Sequence, residues 1–284
     1  MDSTTTPAPS WDSFARAHAA QQWRRQSAAM GRPMTEAIVA EAKVEPGMTV
    51  LDVACGTGEP AISLAMLLKD SGLVVGIDVS SQLLKMAEQR ARDRGLRNLG
   101  FQQADVHYLP LADGCFDRVT CRLGVMFFTD VARALAEMRR VLKPSGRITL
   151  LAWGPMQQPY FQSTIGVILR ALPGSVLPAS GQQMFRFGEA GILASALAQA
   201  GFSGIEEQFS VVPWSWPGTP EEVWEYFQEV TVPFRPLIDA IPGGQGARVG
   251  AEVLAAIRHY YDGTQVNFTA TICLVSACAG PRNI

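Results

Sequence analysis

Short apolar runs alternate along the first half of the chain with longer segments whose apolar positions recur every three or four residues. The first run, at residues 50–53, predicts a buried strand. Small residues follow at Gly56 and Gly58, and a helix is predicted from Pro60, since proline is preorganised for a first helical turn. A strand, a glycine-rich turn and a helix form the repeating unit of a doubly wound α/β sheet.

The same alternation continues and predicts a parallel sheet with helices on its faces. The segment 142–147, which contains Pro144 and Gly146, predicts the end of a helix rather than a strand. The further predicted strands lie at 73–79, 99–103, 118–123 and 148–153, and the predicted helices at 11–23, 35–43, 60–68, 82–89 and 130–141.

The second half of the chain is expected to complete this sheet. Helices are predicted at 159–172 and 190–200 and strands near 205–212 and 265–276, which brings the sheet to seven strands. Residues 217–263 are too long for a hairpin loop and are expected to form a helical lid insertion over the ligand pocket. Its aromatic residues either line an apolar substrate pocket or form the insertion's own core, and both alternatives stay open.

The fold class expected from these patterns is α/β, a doubly wound seven-stranded sheet with helical lid insertions. Four segments are predicted: a disordered tail at 1–10, an N-terminal helical cap at 11–44, a ligand-binding core at 45–153, and a substrate-binding and lid half at 154–284.

Composition narrows the class of protein. Of the 284 residues, 48% are hydrophobic and 18% charged, the balance of a globular chain with a generous core. The net charge of −2 argues against a nucleic-acid partner, which would need a basic face. The Arg-rich segment 90–97 is expected to be a solvated helix end.

A cytoplasmic location is expected. The start of the chain lacks the basic and apolar regions of a signal peptide, and no apolar run approaches the ~20 residues of a membrane span. Five cysteines without a CxxC pair indicate reduced thiols rather than disulfides, and no metal site is predicted.

The glycine turn does not fit two common nucleotide-binding motifs. A P-loop needs Gly-Lys-Ser/Thr at the helix start, where this chain has Gly58, Glu59 and Pro60. The dinucleotide fingerprint needs a third small residue next to a pyrophosphate, whereas here the spacing is Ala-x-Gly-x-Gly and an acid follows. Because Glu59 would repel a pyrophosphate, it favours a ligand with ammonium and sulfonium groups. A turn that binds no ligand is the alternative.

Two acids follow the next two predicted strands. Asp78 lies 22 residues beyond Gly56, the spacing at which a carboxylate accepts hydrogen bonds from the hydroxyls of a ribose. Asp105 follows the third strand and can accept a hydrogen bond from the exocyclic amine of adenine, with Val106 against the ring. A solvated loop acid is the alternative for Asp78. The carboxyl ends of parallel strands meet in one crevice, so these residues are expected to converge.

These residues resemble the class I S-adenosylmethionine-dependent methyltransferases over about residues 45–153. Within that class the chain is most similar to the group of ubiquinone/menaquinone C-methyltransferases and natural-product methyltransferases. Ala54 stands where the family has the first glycine of the turn, a mild departure. The motifs that carry the resemblance are 52–58, Asp78, Ala104-Asp105, Leu109-Pro110, Phe116-Asp117 and 142–146.

The resemblance implies a Rossmann-like methyltransferase fold and S-adenosyl-L-methionine as the cofactor. The turn would line the methionine part, Asp78 the ribose and Asp105 with Val106 the adenine. The full set of cofactor residues implied is Asp52, Ala54, Gly56, Thr57, Gly58, Asp78, Val79, Asp105, Val106, Cys121, Arg122 and Leu123.

A catalytic base is not identified. Many members of the group carry His in the loop after strand four, where this chain has Met126. The candidates are His107, which either faces the cleft or lies on the surface, and Tyr160. A third is Arg122, which either holds a carboxylate of cofactor or substrate or pairs with an acid such as Asp130.

The expected activity is methyl transfer to a small, largely apolar or aromatic metabolite, at carbon ahead of oxygen or nitrogen. The expected partner is a small-molecule substrate, with no nucleic acid and no membrane span, and the protein is a monomer or a homodimer. One alternative is an enzyme that uses the cofactor without transferring its methyl group, as in a cyclisation. Another is a non-catalytic cofactor-binding subunit.

Overall fold

The computed structural model describes residues 14–280, with side chains described from residue 18 onward. The predicted tail at 1–10 lies outside this range. The chain divides into two compact units. The sheet unit comprises Arg32–Gly154, Phe187–Ser210 and the residues from Ile272 onward, and the helical unit comprises the residues up to Gly31, Pro155–Arg186 and Val211–Thr271.

Seven strands form one sheet in the order β3-β2-β1-β4-β5-β7-β6. Strands β1 to β5 pair in parallel, and β7 pairs antiparallel to β5. The predicted α/β fold with a seven-stranded doubly wound sheet is therefore confirmed. The strands are β1 (Thr49–Val53), β2 (Leu73–Asp78), β3 (Leu99–Gln103), β4 (Phe116–Arg122), β5 (Leu142–Trp153), β6 (Ser203–Trp216) and β7 (Val266–Cys278).

Twelve α-helices lie between residues 14 and 280. No helix in that range combines the length and the hydropathy that crossing a bilayer demands. The helices are α1 (Phe14–Gln22), α2 (Arg24–Ala42), α3 (Ala61–Leu68), α4 (Ser81–Asp93), α5 (Val131–Val141), α6 (Pro159–Ser163), α7 (Ile165–Ala171), α8 (Ala179–Met184), α9 (Ile192–Gln199), α10 (Pro220–Val230), α11 (Arg235–Asp239) and α12 (Gly246–Arg258).

The order of the strands places a crevice between β1 and β4. The chain runs from β1 to β2 and β3 on one side, and then crosses to β4 and β5 on the other. Ligands of open α/β sheets bind at such a reversal, outside the carboxyl ends of the strands. A ligand site is therefore expected at the residues that end β1 and β4.

Helix starts next to this crevice are fixed by side-chain caps. The Ser80 hydroxyl accepts a hydrogen bond from the Leu83 amide and starts α4. The Asp130 carboxylate accepts one from the Arg133 amide and starts α5. Such caps contribute about 1 kcal/mol each. They set where each helix begins relative to the strand before it.

A buried apolar cluster attaches α3 and α4 to the first strands. Val50 of β1 and Val74 of β2 pack with Leu64 and Leu68 of α3 and with Leu84 of α4. Full burial of one such side chain contributes about 1.5–3 kcal/mol. The segments that flank the crevice are therefore held by the core of the sheet unit.

The helical unit has an aromatic core of its own. The Tyr160 ring lies 4.9 Å from that of Trp214 and 5.5 Å from that of Phe268. The Trp23 ring lies 5.5 Å from that of Trp216, and Trp23 Nε1 donates a 2.7 Å hydrogen bond to Glu229. Buried aromatic residues thus form the interior of this unit.

Three predicted boundaries are wrong. Strand β5 was predicted to begin at residue 148, but it begins at Leu142. Leu142 pairs with Phe116 of β4, and the register then shifts before Arg147 pairs with Arg118. The helix predicted at 159–172 is interrupted at Thr164, where φ is −112° and ψ is −87° and the hydroxyl donates to the Tyr160 carbonyl. Helix α2 begins at Arg24 and continues through Pro33, which the prediction placed before the helix.

Candidate functional site

The turn after β1 is a compact left-handed loop. Ala54, Gly56 and Gly58 have φ of 56°, 55° and 106°, a region that costs glycine little. The Cys55 amide donates to the Ile77 carbonyl of β2, and the Gly58 amide donates back to the Cys55 carbonyl over 2.8 Å. The turn is thus anchored to the neighbouring strand and closed on itself.

The two glycines of the turn face different surroundings. A Cβ on Gly58 would lie 2.7 Å from Ile62 Cδ1 and 3.2 Å from Ala87 Cβ, so α3 and α4 approach the bare backbone there. A Cβ on Gly56 would meet no atom of the described residues within 4 Å. Gly58 therefore serves helix packing, whereas the face at Gly56 is open and leaves room for a ligand.

The loop after β4 lies directly against this turn. A Cβ on Gly124 would lie 2.6 Å from Ala54 Cβ and 2.8 Å from Cys121 Sγ, so only glycine fits. Leu123 has a φ of 58°, and its amide donates to the Leu151 carbonyl over 2.8 Å. The predicted residues at the ends of β1 and β4 are therefore in contact with each other.

Asp78 is joined to the same turn. Its Oδ2 atom accepts a 2.8 Å hydrogen bond from the Gly56 amide, and its Oδ1 atom accepts one of 2.9 Å from the Ser80 amide. A carboxylate has about four lone-pair positions, so two backbone donors leave room for further ones. Val79, which follows, is 46% exposed.

Asp52 lies beneath the turn and is fully buried. Its carboxylate accepts a 3.0 Å hydrogen bond from the Ala61 amide at the start of α3 and a 2.8 Å one from the Thr120 hydroxyl of β4. Burial raises its pKa to about 7, against the hydrogen bonds from Thr120 and Ala61 and the Arg122 charge, which lower it. Asp52 therefore connects β1, α3 and β4 through contacts inside the protein.

Asp105 is held by His107. Its Oδ1 atom accepts hydrogen bonds from the His107 amide (2.9 Å) and ring Nδ1 (2.6 Å). Burial raises the pKa of Asp105, but the hydrogen bonds from the His107 amide and ring outweigh it and hold the pKa below its usual value. Val106, between the two, is buried.

The His107 ring uses both of its nitrogens. Nε2 accepts a 3.2 Å hydrogen bond from the Asp130 amide, so Nδ1 carries the proton that is donated to Asp105. This neutral tautomer joins the end of β3 to the start of α5. His107 has no ring nitrogen left over in this arrangement to take a proton from a substrate.

Arg90 is a site residue that the sequence analysis missed. It was expected in a solvated helix end, yet it is buried. One guanidinium nitrogen donates to the Thr57 carbonyl (2.5 Å) and hydroxyl (3.1 Å), and the other lies 3.3 Å from Glu59 Oε1. The spacing of Leu83, Ala87 and Arg90 along α4, all buried, is the signal that could have placed it on the inner face.

Arg122 and Cys121 end β4 next to the turn. Arg122 Nε donates to the Glu59 carbonyl over 3.4 Å, and its charge acts on Asp52. The Cys121 side chain is fully buried, and burial, followed by the charge of Asp52, raises the pKa of its thiol. Met126, in the loop that follows, is fully buried as well.

Tyr160 belongs to the helical unit. It is buried among aromatic rings, and burial raises its pKa well above the usual value. In the sheet unit, the turn, Asp78, Asp105 and the end of β4 lie at the carboxyl ends of neighbouring strands.

Known proteins resemble the chain in sequence and in fold. A ubiquinone/menaquinone biosynthesis C-methyltransferase of Teredinibacter turnerae is 42% identical over 115 residues, 40% of this chain and 46% of that protein. The chain thus spans about half the length of this relative. The enzyme of the same description from Acidiphilium cryptum is 33% identical over 196 residues, 64% of this chain and 73% of that protein.

The fold has a counterpart among solved structures. The YcgJ protein of Bacillus subtilis superposes with a TM-score of 0.57 at 18% identity, over 87% of this chain and 98% of that one. At this identity the likeness concerns the fold alone. A family model described as the ubiE/COQ5 methyltransferase family matches residues 29–203. On this match and the Acidiphilium relative, the chain belongs to the ubiE/COQ5 methyltransferase family.

Proposed function

We propose that this protein transfers a methyl group from S-adenosyl-L-methionine to a carbon atom of a small, largely apolar or aromatic acceptor. One observation carries the proposal. Gly56 has an open face, and its amide donates a hydrogen bond to Asp78 at the end of β2. Asp105 follows β3, which pairs with β2. A glycine turn without side chains, followed by two acids at the ends of successive strands, fits a ligand that joins an amino acid to a nucleoside.

The residues present fit such a cofactor. Gly56 leaves its face free of side-chain atoms, and Asp78 keeps lone pairs for ribose hydroxyls. The Oδ2 atom of Asp105 is free of the two hydrogen bonds from His107, which reach Oδ1. Glu59 contributes less to ligand selection than its sequence position suggested, because its carboxylate pairs with Arg90.

The twelve predicted residues divide into two roles in this proposal. Nine of them would contact the cofactor at the crevice, and three would support the loops that do so through contacts inside the protein. We assign Ala54, Gly56, Thr57, Asp78, Val79, Asp105, Val106, Arg122 and Leu123 to contact, and Asp52, Gly58 and Cys121 to support.

The cofactor, when bound, supplies an activated methyl group on a sulfonium. The protein's part is to bind the nucleoside through its acids, to hold the turn rigid and to align the acceptor in a site free of water. The candidate bases do not favour proton abstraction. His107 uses both ring nitrogens, and burial raises the pKa of the Tyr160 hydroxyl and of the Cys121 thiol.

This shortage of a base supports carbon as the methylated atom. An alcohol or phenol acceptor gains from a base that takes its proton during attack. An electron-rich ring carbon needs alignment instead, since its proton leaves after the new bond has formed. The quinone-biosynthesis description of the relatives points to the same acceptor class, an electron-rich aromatic ring of quinol type.

The test is incubation with methyl-labelled S-adenosyl-L-methionine and a demethylated naphthoquinol that carries a short isoprenoid tail. Label on a ring carbon, located by mass spectrometry and NMR, supports the proposal. Label on oxygen overturns the choice of carbon. An altered acceptor without label, or saturable cofactor binding without turnover over a panel of quinols and phenols, overturns methyl transfer itself.

We further propose that the protein acts in the cytoplasm on a small molecule. All five cysteines lie within the described residues, and all are free thiols. Unpaired cysteines are typical of reducing compartments. Oxidised cysteine pairs in protein isolated under thiol-blocking conditions would contradict this location.

A further inference from the structure

A buried guanidinium fixes the glycine turn on the side of α4. Arg90 donates to the Thr57 carbonyl and hydroxyl and pairs with Glu59. The other Glu59 oxygen accepts a 2.6 Å hydrogen bond from the Ser63 hydroxyl of α3. A single arginine therefore connects α4, the turn and the first turn of α3.

The contact with the Thr57 carbonyl sets the orientation of one peptide group. The carbonyl of Thr57 and the amide of Gly58 belong to the same planar unit. Arg90 holds its oxygen, and the Cys55 carbonyl accepts its N–H over 2.8 Å. With both ends of this peptide occupied, the preceding residue, Gly56, keeps its open face in place.

Lysine cannot make the same set of contacts. A guanidinium presents several donors in a rigid plane, whereas an ammonium is a single flexible point charge. Here one nitrogen serves two acceptors on Thr57 and the other lies on Glu59. The Arg90 side chain is only 11% exposed, so water does not readily replace a lost partner.

We propose that Arg90 is a positioning residue for the amino-acid end of the cofactor. It acts through the Thr57–Gly58 peptide and touches neither cofactor nor acceptor. The inference rests on the proposed function, in which the turn lines the methionine part. Asp78 and Asp105, which would hold the nucleoside, have supports of their own: the Gly56 and Ser80 amides bind Asp78, and His107 binds Asp105. The effect of Arg90 is therefore expected at the amino-acid end of the ligand.

The experiment compares two ligands in the full-length protein by calorimetry. S-adenosylhomocysteine carries the amino-acid part, and 5′-methylthioadenosine shares the nucleoside without it. For Arg90→Lys, the Kd of the first rises about tenfold or more, the loss typical of a charge-assisted hydrogen bond, while the Kd of the second stays within about twofold. Arg92→Lys, an exposed change on the same helix, leaves both unchanged.

A second readout does not depend on any ligand. In Arg90→Lys without cofactor, the Gly58 amide exchanges with solvent faster, while the Leu84 amide of α4 keeps its protection. If Arg90→Lys does not fold, Glu59→Gln replaces it in the experiment, because this change weakens the contact between Glu59 and Arg90 from the Glu59 side.

The outcomes are distinguishable. An equal rise in the Kd of both ligands overturns the role assigned to Arg90. Unchanged Kd values together with an unchanged exchange rate of the Gly58 amide also overturn it. A wild-type protein that binds neither ligand refutes the proposed function, and the exchange of Gly58 then still decides whether Arg90 fixes the turn.

Discussion

The backbone amide of Gly56 donates a 2.8 Å hydrogen bond to Asp78 Oδ2 across 22 residues of sequence. Gly56, which would leave room for the cofactor, is thereby linked directly to Asp78, which would bind its ribose. Any change to the acid also releases the turn. This coupling makes Asp78 the sharpest position at which to test the site.

Replacing Asp78 weakens cofactor binding through both effects. Asp78→Ala removes the proposed ribose acceptor and also the partner of the Gly56 amide. One hydrogen bond to a charged group contributes about 1.5–3 kcal/mol, and the lost ribose contact sets the expected size of the effect. We therefore expect the Kd of S-adenosylhomocysteine to rise by roughly 10- to 150-fold. Isothermal calorimetry measures it.

The matched control for this change is Asp93→Ala. Asp93 accepts a hydrogen bond from Gln89 on the exposed side of α4 and is remote from the turn in its contacts. It should leave the Kd unchanged. If Asp78→Ala binds as tightly as the wild type, the ribose assignment is wrong.

Gly56 and Gly95 offer a second matched pair. Both have positive φ, 55° and 67°, and within residues 14–280 a Cβ on either would meet no atom within 4 Å. Alanine at either position should cost a similar free energy of unfolding, about 1 kcal/mol, from backbone strain. Only Gly56→Ala should lose cofactor affinity, since its methyl group would enter the proposed ligand face.

Urea unfolding and calorimetry on the two variants separate these effects. Equal stability loss with a selective loss of binding places the ligand at Gly56. Equal binding by both variants would mean that the open face at Gly56 is not used.

The sequence predicted those parts of the fold and site that depend on local pattern. Apolar runs placed every strand of the sheet, and the acids after β2 and β3 had to converge, since parallel strands end at one edge. Arg90 could not be found by counting charges, because the neighbouring Arg92 carries the same charge but is exposed on a different face of α4. The start of β5 depends on pairing with Phe116, a contact that no local signal encodes.

The buried Asp52 predicts a pH dependence of stability. Burial raises its pKa from 3.8 to about 7, so the folded protein holds a proton that the unfolded chain has released. The stabilisation this gives is complete below the unfolded value and is lost as the pH rises through about 7. The slope approaches about 1.4 kcal/mol per pH unit between the two values.

Asp52→Asn isolates this contribution. Its amide can still accept from Ala61 and donate to the Thr120 hydroxyl, but it does not ionise. The free energy of unfolding in urea, measured from pH 5 to 8, should fall more steeply for the wild type than for the variant. Parallel curves would show that Asp52 does not titrate in this range.

Tyr160 is expected to contribute packing rather than chemistry. Its ring contacts Phe161, Trp214, Phe227 and Phe268, and burial raises the pKa of its hydroxyl. Tyr160→Phe keeps the ring and should retain kcat within about threefold, whereas loss of a base costs about 10²–10⁴. Tyr160→Ala should lower stability by about 3–5 kcal/mol. A large loss of kcat in a stable Tyr160→Phe would restore it as a catalytic residue.

Two substitutions at His107 separate positioning from proton transfer. Asn presents its amide where Nδ1 donates to Asp105, and Gln presents its oxygen where Nε2 accepts from Asp130. If His107 positions Asp105, His107→Asn keeps the Kd of adenosine near the wild-type value and His107→Gln raises it, while kcat changes little in either. If His107 is the base, both variants lose about 10²–10⁴ in kcat, because neither amide takes up a proton near neutral pH.

The two roles of His107 therefore predict opposite patterns. Positioning predicts that the two variants differ in Kd, and proton transfer predicts that both lose kcat. Steady-state kinetics from pH 6 to 9 alongside calorimetry distinguishes them. The geometry favours the split, since the proton on Nδ1 is already donated to Asp105 and the lone pair on Nε2 already accepts from the Asp130 amide.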